Sequence, residues 1–255
     1  MAAQAASVKK GPTCTNVDTD FSKSMKTWHE AYSEKDTWKQ TKQGLEMIII
    51  PPKNKTTLHD YKTSNGLPYN VEEGRGPTFN ATDYMLYGSF SAVVKSSKVG
   101  GTVTAVILIA NDGDEIDFEL LGGASQTVTS NYFWGKKIVY GKNGREHSVP
   151  EKPISQQFYN YTVNWSPEKI DWLIDGKKVR TTTRSSTCQK GDNKKVCRFP
   201  SSPARVQLGF WDGSGASGTA EWAHGPIPWK KIKEPVVAYI KRVQIRCNPK
   251  YNHVK

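Results

Sequence analysis

The chain has 255 residues, 36% of them hydrophobic and 11% aromatic, and carries a formal net charge of +12 at pH 7. This length can bury a substantial single core, while the longest apolar run, residues 103–110 (VTAVILIA), is far too short to span a bilayer, so no transmembrane segment is expected. The excess positive charge is scattered in doublets such as Lys177-Lys178 and Lys230-Lys231, with no basic block, zinc finger, RNP or helix-turn-helix pattern, which argues against a nucleic-acid partner. It reads as a solvated basic surface or as attraction to an anionic wall polymer or membrane surface.

In chain order, residues 1–13 are small and polar and read as a disordered tail, leaving 14–255 as one domain. The start (MAAQAA) lacks the charged and apolar regions of a signal peptide, so none is expected in this chain. Other features favour secretion. Sequons begin at Asn54, Asn80, Asn160 and Asn164, and the four cysteines include no CxxC pair. Cys188 and Cys197 flank a polar loop and suit a local disulfide, which leaves Cys14 and Cys247 to join the chain ends; three connectivities remain open.

Residues 20–43 are polar with interspersed aromatics and suit a short helix or irregular edge structure. Strand signals then recur at 46–50, 85–95, 103–110, 115–121, 127–133, 158–165, 170–174, 178–183, 205–211 and 236–246. Turn formers separate them, among them Asn111-Asp-Gly-Asp114, Ser166-Pro-Glu-Lys169 and Asp175-Gly176. There is no βαβ rhythm, long amphipathic helix or internal repeat, so the expected fold is an all-β sandwich or jelly roll.

Residues 114–119 (DEIDFE) are the most informative stretch. Strand periodicity places Glu115, Asp117 and Glu119 on one face, with Ile116 and Phe118 on the other. Like charges in a row repel, so folding gains little from them; an ordinary acidic solvent face is the alternative to chemistry. The chemistry that uses two such carboxylates is glycosidic cleavage, with one as nucleophile and one as acid. Along a strand the Cα atoms of Glu115 and Glu119 lie roughly 13 Å apart. A retaining site needs carboxyl groups about 5–5.5 Å apart, so both side chains must lean inward over Asp117. Shared negative charge on Glu115 and Asp117 should keep Glu119 protonated to higher pH. Glu115 is then the nucleophile, Asp117 its hydrogen-bonding partner, and Glu119 the acid and later the base. An EF-hand placed on Gly113 would put Leu108 and Ala110 at ligand positions, so no metal is read into this loop.

Asp114–Glu119 followed by Leu-Leu-Gly-Gly123 resembles the signature of glycoside hydrolase family 16 in its regular-strand ExDxE form. Similar segments follow in order: residues 130–135 (SNYFWG), 161–180, 206–211 (VQLGFW) and 219–225 (TAEWAHG), so that about residues 80–245 are covered. They are most similar to the fungal cell-wall chitin–β-glucan transglycosylases of the Crh group. The resemblance implies a concanavalin A-like jelly roll with a concave sugar cleft, retaining chemistry on the three acids, and no cofactor. By position it puts Asn131 and Tyr132 in the cleft near the acids and gives Trp211, Glu221 and Trp222 the sugar chain to hold. Thr129 stands where the family usually carries Gln or His, which bears on the contact to the donor sugar. The implied setting is an extracellular monomer acting on chitin or β-glucan, as a transglycosylase, an endo-β-glucanase or, without turnover, a wall lectin.

Overall fold

The computed structural model describes residues 11–255 except 64, 136–138, 140, 150 and 191–194. Alternating apolar and polar residues build two large antiparallel sheets whose apolar faces meet. The first has seven strands in the spatial order Arg145–Ser148, Thr127–Phe133, Glu115–Leu121, Thr102–Ala110, Ala204–Asp212, Thr78–Ala81 and Trp28–Tyr32. The second runs Lys177–Thr183, Lys169–Ile174, Tyr159–Trp165, Gly88–Lys95, Val236–Cys247, Gly44–Ile49 and Trp38–Thr41, with Val17–Asp20 also paired to Val236–Cys247. The fold is the all-β jelly-roll sandwich expected from the strand pattern.

Ile116, Phe118 and Leu120 fill the core side of the acidic strand, opposite Tyr161, Val163 and Trp172 of the second sheet. Phe118 and Tyr161 are in ring contact at 5.3 Å. Each such buried side chain contributes about 1.5–3 kcal/mol, which fixes the register and so the face on which the acids stand. Trp165 and Trp172 are buried in the same core.

Residues 20–43 form no helix; they lie at the sheet edges, as expected, in short strands joined by turns. They supply two edge strands, Trp28–Tyr32 and Trp38–Thr41, anchored by buried Trp28 and by Trp38 packed on Phe79. Edge strands have one solvent face and short runs, so their period is weak in the sequence. Of the expected tail, residues 1–10 lie outside the described residues; Thr13 already pairs with His253.

Two disulfides form, Cys14–Cys247 and Cys188–Cys197. The first closes nearly the whole chain, with a sequence separation of 233, and in the chain-entropy view contributes roughly 5 kcal/mol. Among the sequons, Asn54 and Asn164 are exposed. Asn80 is buried in the first sheet, where its carbonyl accepts a hydrogen bond from Gln207 Nε2, so it is no acceptor for a glycan in the folded chain.

Candidate active site

The turn before the acidic strand is built by side chains that the sequence gives no hint of using. Gly113 takes a φ of 93°, which lets the chain reverse after Ala110. Asp114 is buried, and its carboxylate accepts the backbone N–H groups of Gly135, Ser201 and Ser202. It ties the entry of the strand to two neighbouring loops.

Antiparallel register then sets the rows of the face. Glu115 lies between Phe133 and Ile109, Asp117 between Asn131 and Ile107, and Glu119 between Thr129 and Ala105. Directly opposed residues share a face, so Asn131 and Thr129 stand with the acids as expected. The face is recessed: Asp117, Ala105 and Ile107 on it are buried although they point away from the core. Thr129 Oγ1 donates to the Glu119 carbonyl oxygen at 3.0 Å, so its hydroxyl hydrogen is already engaged with the acidic strand. Asn131 Oδ1 accepts the adjacent Tyr132 N–H at 2.9 Å.

Tyr132 departs from its expected place. It is paired with Ile116, is 8% exposed and belongs to the core cluster. The period of two that puts Asn131 in the cleft puts its neighbour on the other side of the sheet.

At the Glu119 end of the face, Leu121 is opposite Val103, which is opposite Trp211. The Trp211 and Trp222 rings lie nearly parallel, 6.2 Å apart with 25° between planes. Trp211 rests on a small apolar cluster of Val103, Leu121, Ala124 and Ala223. Trp222 and Glu221, at the end of the short helix Ser217–Trp222, are exposed. Asp212 was not singled out from sequence, where Asp-Gly reads as a plain turn. It is buried and accepts hydrogen bonds from Gly74 N, Ser214 N and Trp229 Nε1, fixing the strand end that carries Trp211.

The electrostatics order the acids. Burial, and after it the charge of Glu115, raises the Glu119 carboxyl to about 8. Burial raises Glu115 to about 7. Asp117 is pushed well above the ordinary carboxylate range by burial and then by Glu119 and Glu115, against the opposing pull of the Asn131 amide and the Arg180 charge. Glu119 keeps its proton to higher pH than Glu115, the expected order, but desolvation is the larger cause and charge sharing the smaller. Neither carboxylate oxygen of Asp117 makes a hydrogen bond among the described residues; the bond expected from Asp117 to Glu115 is not formed. No group of His, Cys, Asp and Glu among the described residues has the arrangement of a metal site.

Residues 50–231 match the model of Glycosyl hydrolases family 16, well over half of the chain. Crh-like protein UTR2 of Candida albicans is 33% identical over 211 residues, which cover 80% of this chain and 44% of that protein. Crh-like protein 5 of Aspergillus fumigatus is 35% identical over 184 residues, covering 70% of this chain and 44% of its own length. The chain thus spans less than half the length of these relatives. Among solved structures, Crh5 transglycosylase in complex with NAG is similar with a TM-score of 0.74 at 29% identity, over 94% of this chain and 87% of that one. A Bacillus licheniformis beta-glucanase shares the fold with a TM-score of 0.69 at 17% identity, over 92% of this chain and 99% of that one. With its sandwich fold, its row of acids on one recessed face and this match, the chain belongs to glycosyl hydrolases family 16.

Proposed function

We propose that the chain is a retaining transglycosylase of the fungal cell wall, one that cleaves a β-1,4-linked chitin-type donor and passes it to a β-glucan or chitin acceptor. The observation that carries this reading is the row of Glu115, Asp117 and Glu119 on one recessed face of the sheet, with Asn131 and Thr129 beside it. Similarity to a transglycosylase solved with NAG supports the substrate class.

In the first step the Glu115 carboxylate attacks the anomeric carbon while Glu119 gives its proton to the departing glycosidic oxygen, leaving a glycosyl ester on Glu115. Esterification removes the Glu115 charge, and Glu119 is left ionised. In the second step Glu119 takes the proton of an acceptor hydroxyl, whose oxygen displaces Glu115 and restores the β configuration. Asp117, kept protonated by its burial, is the neutral O–H donor set between the two. Asn131 and Thr129 flank the reacting sugar. Trp211 and Trp222 stack against pyranose C–H faces farther along the chain, with Glu221 at the rim. Two carboxyl groups suffice for this chemistry, so no cofactor enters it.

A bound acceptor reacts at an effective concentration above that of water, and loops rather than the acids decide between transfer and hydrolysis. Residues 14–255 act as one catalytic domain, working as an extracellular monomer on neutral glycan, with the basic surface drawn to anionic wall polymers and not to nucleic acid. The test mixes the protein with chitin and fluorescent β-1,3-glucan oligosaccharides beside Glu119→Gln. Label incorporated by the wild type alone supports transfer. New reducing ends without label mean an endo-β-glucanase, and binding without turnover means a lectin.

A further inference from the structure

Behind the acidic strand, on the core side, lies a cation that the reaction as written does not use. Arg180 sits on the strand Lys177–Thr183 at the edge of the second sheet, paired with Trp172. Its guanidinium stacks over the Trp172 ring at 4.3 Å and faces the Tyr132 ring at 5.7 Å. Nη1 donates to the Ser130 carbonyl and to Ser130 Oγ, each at 2.9 Å, and Nη2 donates to the Asn143 carbonyl at 2.7 Å. Trp172, held under this cation, donates from Nε1 to the backbone carbonyl of Asp117 at 3.0 Å. Asn143 in turn donates from Nδ2 to the Tyr132 carbonyl at 3.1 Å. Arg180 therefore grips both sides of Asn131, through Ser130 and through the Asn143–Tyr132 link, while its stacking partner grips Asp117.

Among the described residues no carboxylate lies within ion-pair distance of Arg180. A partly buried cation without a counterion is costly, and it is retained only where something offsets it. The charged and titratable groups that act on it are Arg145, Tyr132 and Asp117, and it acts in turn on His147, whose Nε2 is 2.7 Å from Ser130 Oγ. Of these only Asp117 carries a carboxyl group, and it stands in the row with Glu115 and Glu119.

We propose that Arg180 is a positioning residue for the acidic face, holding Asn131 and Asp117 from behind the sheet and setting a fixed positive charge behind Asp117, the middle acid of the row. This rests on the glycosidase reading of those acids. Burial lowers the Arg180 guanidinium only to about 10, so it stays charged wherever the acids titrate. Its charge opposes the upward push on Asp117.

Two variants separate charge from grip. Arg180→Met removes both; Arg180→Lys keeps the charge but, as a single point donor, does not span Ser130 and Asn143. Carboxyl 13C NMR follows Glu115, Asp117 and Glu119 as one coupled set, with signals assigned by Asp117→Asn. In Arg180→Met the set moves upward by at least about half a pH unit, the size of one partly screened charge. In Arg180→Lys it stays at the wild-type midpoints, while kcat falls about tenfold through loss of placement. Unchanged midpoints in Arg180→Met overturn the electrostatic role. Wild-type kcat in Arg180→Lys overturns the positioning role, and decides the matter should Arg180→Met not fold. Because the NMR titration needs no substrate, a wild type inactive on every glycan refutes the proposed function and leaves this inference standing on its own readout.

Discussion

Replacing Glu119 by Gln should make the protein more stable, and only above mildly acidic pH. Burial, with the charge of Glu115 behind it, holds the Glu119 carboxyl near 8 in place of its ordinary 4.5. Between those values the folded chain keeps a proton that the unfolded chain has already lost, so stability falls as pH rises from about 4.5 toward 8. At pH 7 the separation is about 2.5 pH units, and at about 1.36 kcal/mol for each the penalty is on the order of 3 kcal/mol. Glutamine has nearly the same shape and no proton to lose, so the penalty disappears with the carboxyl. For a domain of this size about 2–4 °C accompanies each kcal/mol, so Tm should rise by about 6–12 °C at pH 7. At pH 4 both states of the wild type are protonated and the two Tm values should agree within about 1 °C. Differential scanning calorimetry of both proteins across pH 4–8 measures this directly. An equal change at both ends of the range, or a lower Tm for the variant at pH 7, would refute the desolvation argument and with it the assignment of Glu119 as the protonated acid.

The same electrostatics separate two substitutions of Asp117. A protonated carboxyl and an amide are both neutral donors, so Asp117→Asn should keep kcat within about tenfold of wild type while Asp117→Ala loses about a hundredfold or more; equal losses would mean that Asp117 works as an anion. Trp222 is 38% exposed, so Trp222→Ala should leave Tm unchanged and raise KM about 5- to 30-fold on long glycans, as loss of about 1–2 kcal/mol of ring stacking demands; an unchanged KM would remove it from the sugar path. Cys14→Ser opens the disulfide to Cys247 and should lower Tm by about 10–20 °C, from roughly 5 kcal/mol of chain entropy; a shift of only a few degrees would show that the end strands are held by their pairing alone.

The strands that carry the site were legible from sequence because each has one face in the core. Alternation alone gives Glu115–Leu121 and Thr127–Phe133 with the ends they have in the structure. The edge strands Trp28–Tyr32 and Arg145–Ser148 and the inner strand Thr78–Ala81 were not seen, since runs of four or five residues are too short to impose a period. The family resemblance puts Tyr132 in the cleft beside Asn131, but the period of two turns adjacent residues to opposite sides, and Tyr132 lies in the core. Asp114, after Gly113, and Asp212, before Gly213, sit at turns and are buried acceptors that pin loops to the sheet; a turn and a pin use the same Asp beside Gly, and only the fold distinguishes them. Arg180 looked like one more cation in the basic edge segment KKVRTTT. Its stacking on Trp172 and its hold on Ser130 depend on the packing of two sheets, which no local pattern records.

We propose that Glu115 and Glu119 cleave a β-glycoside by double displacement. Early-time proton NMR of the wild type acting on a soluble β-glycan oligosaccharide, read before mutarotation, tests it most directly. Double displacement gives a primary product with the anomeric hydrogen of the β configuration. A primary product in the α configuration would mean a single displacement by water and would contradict it.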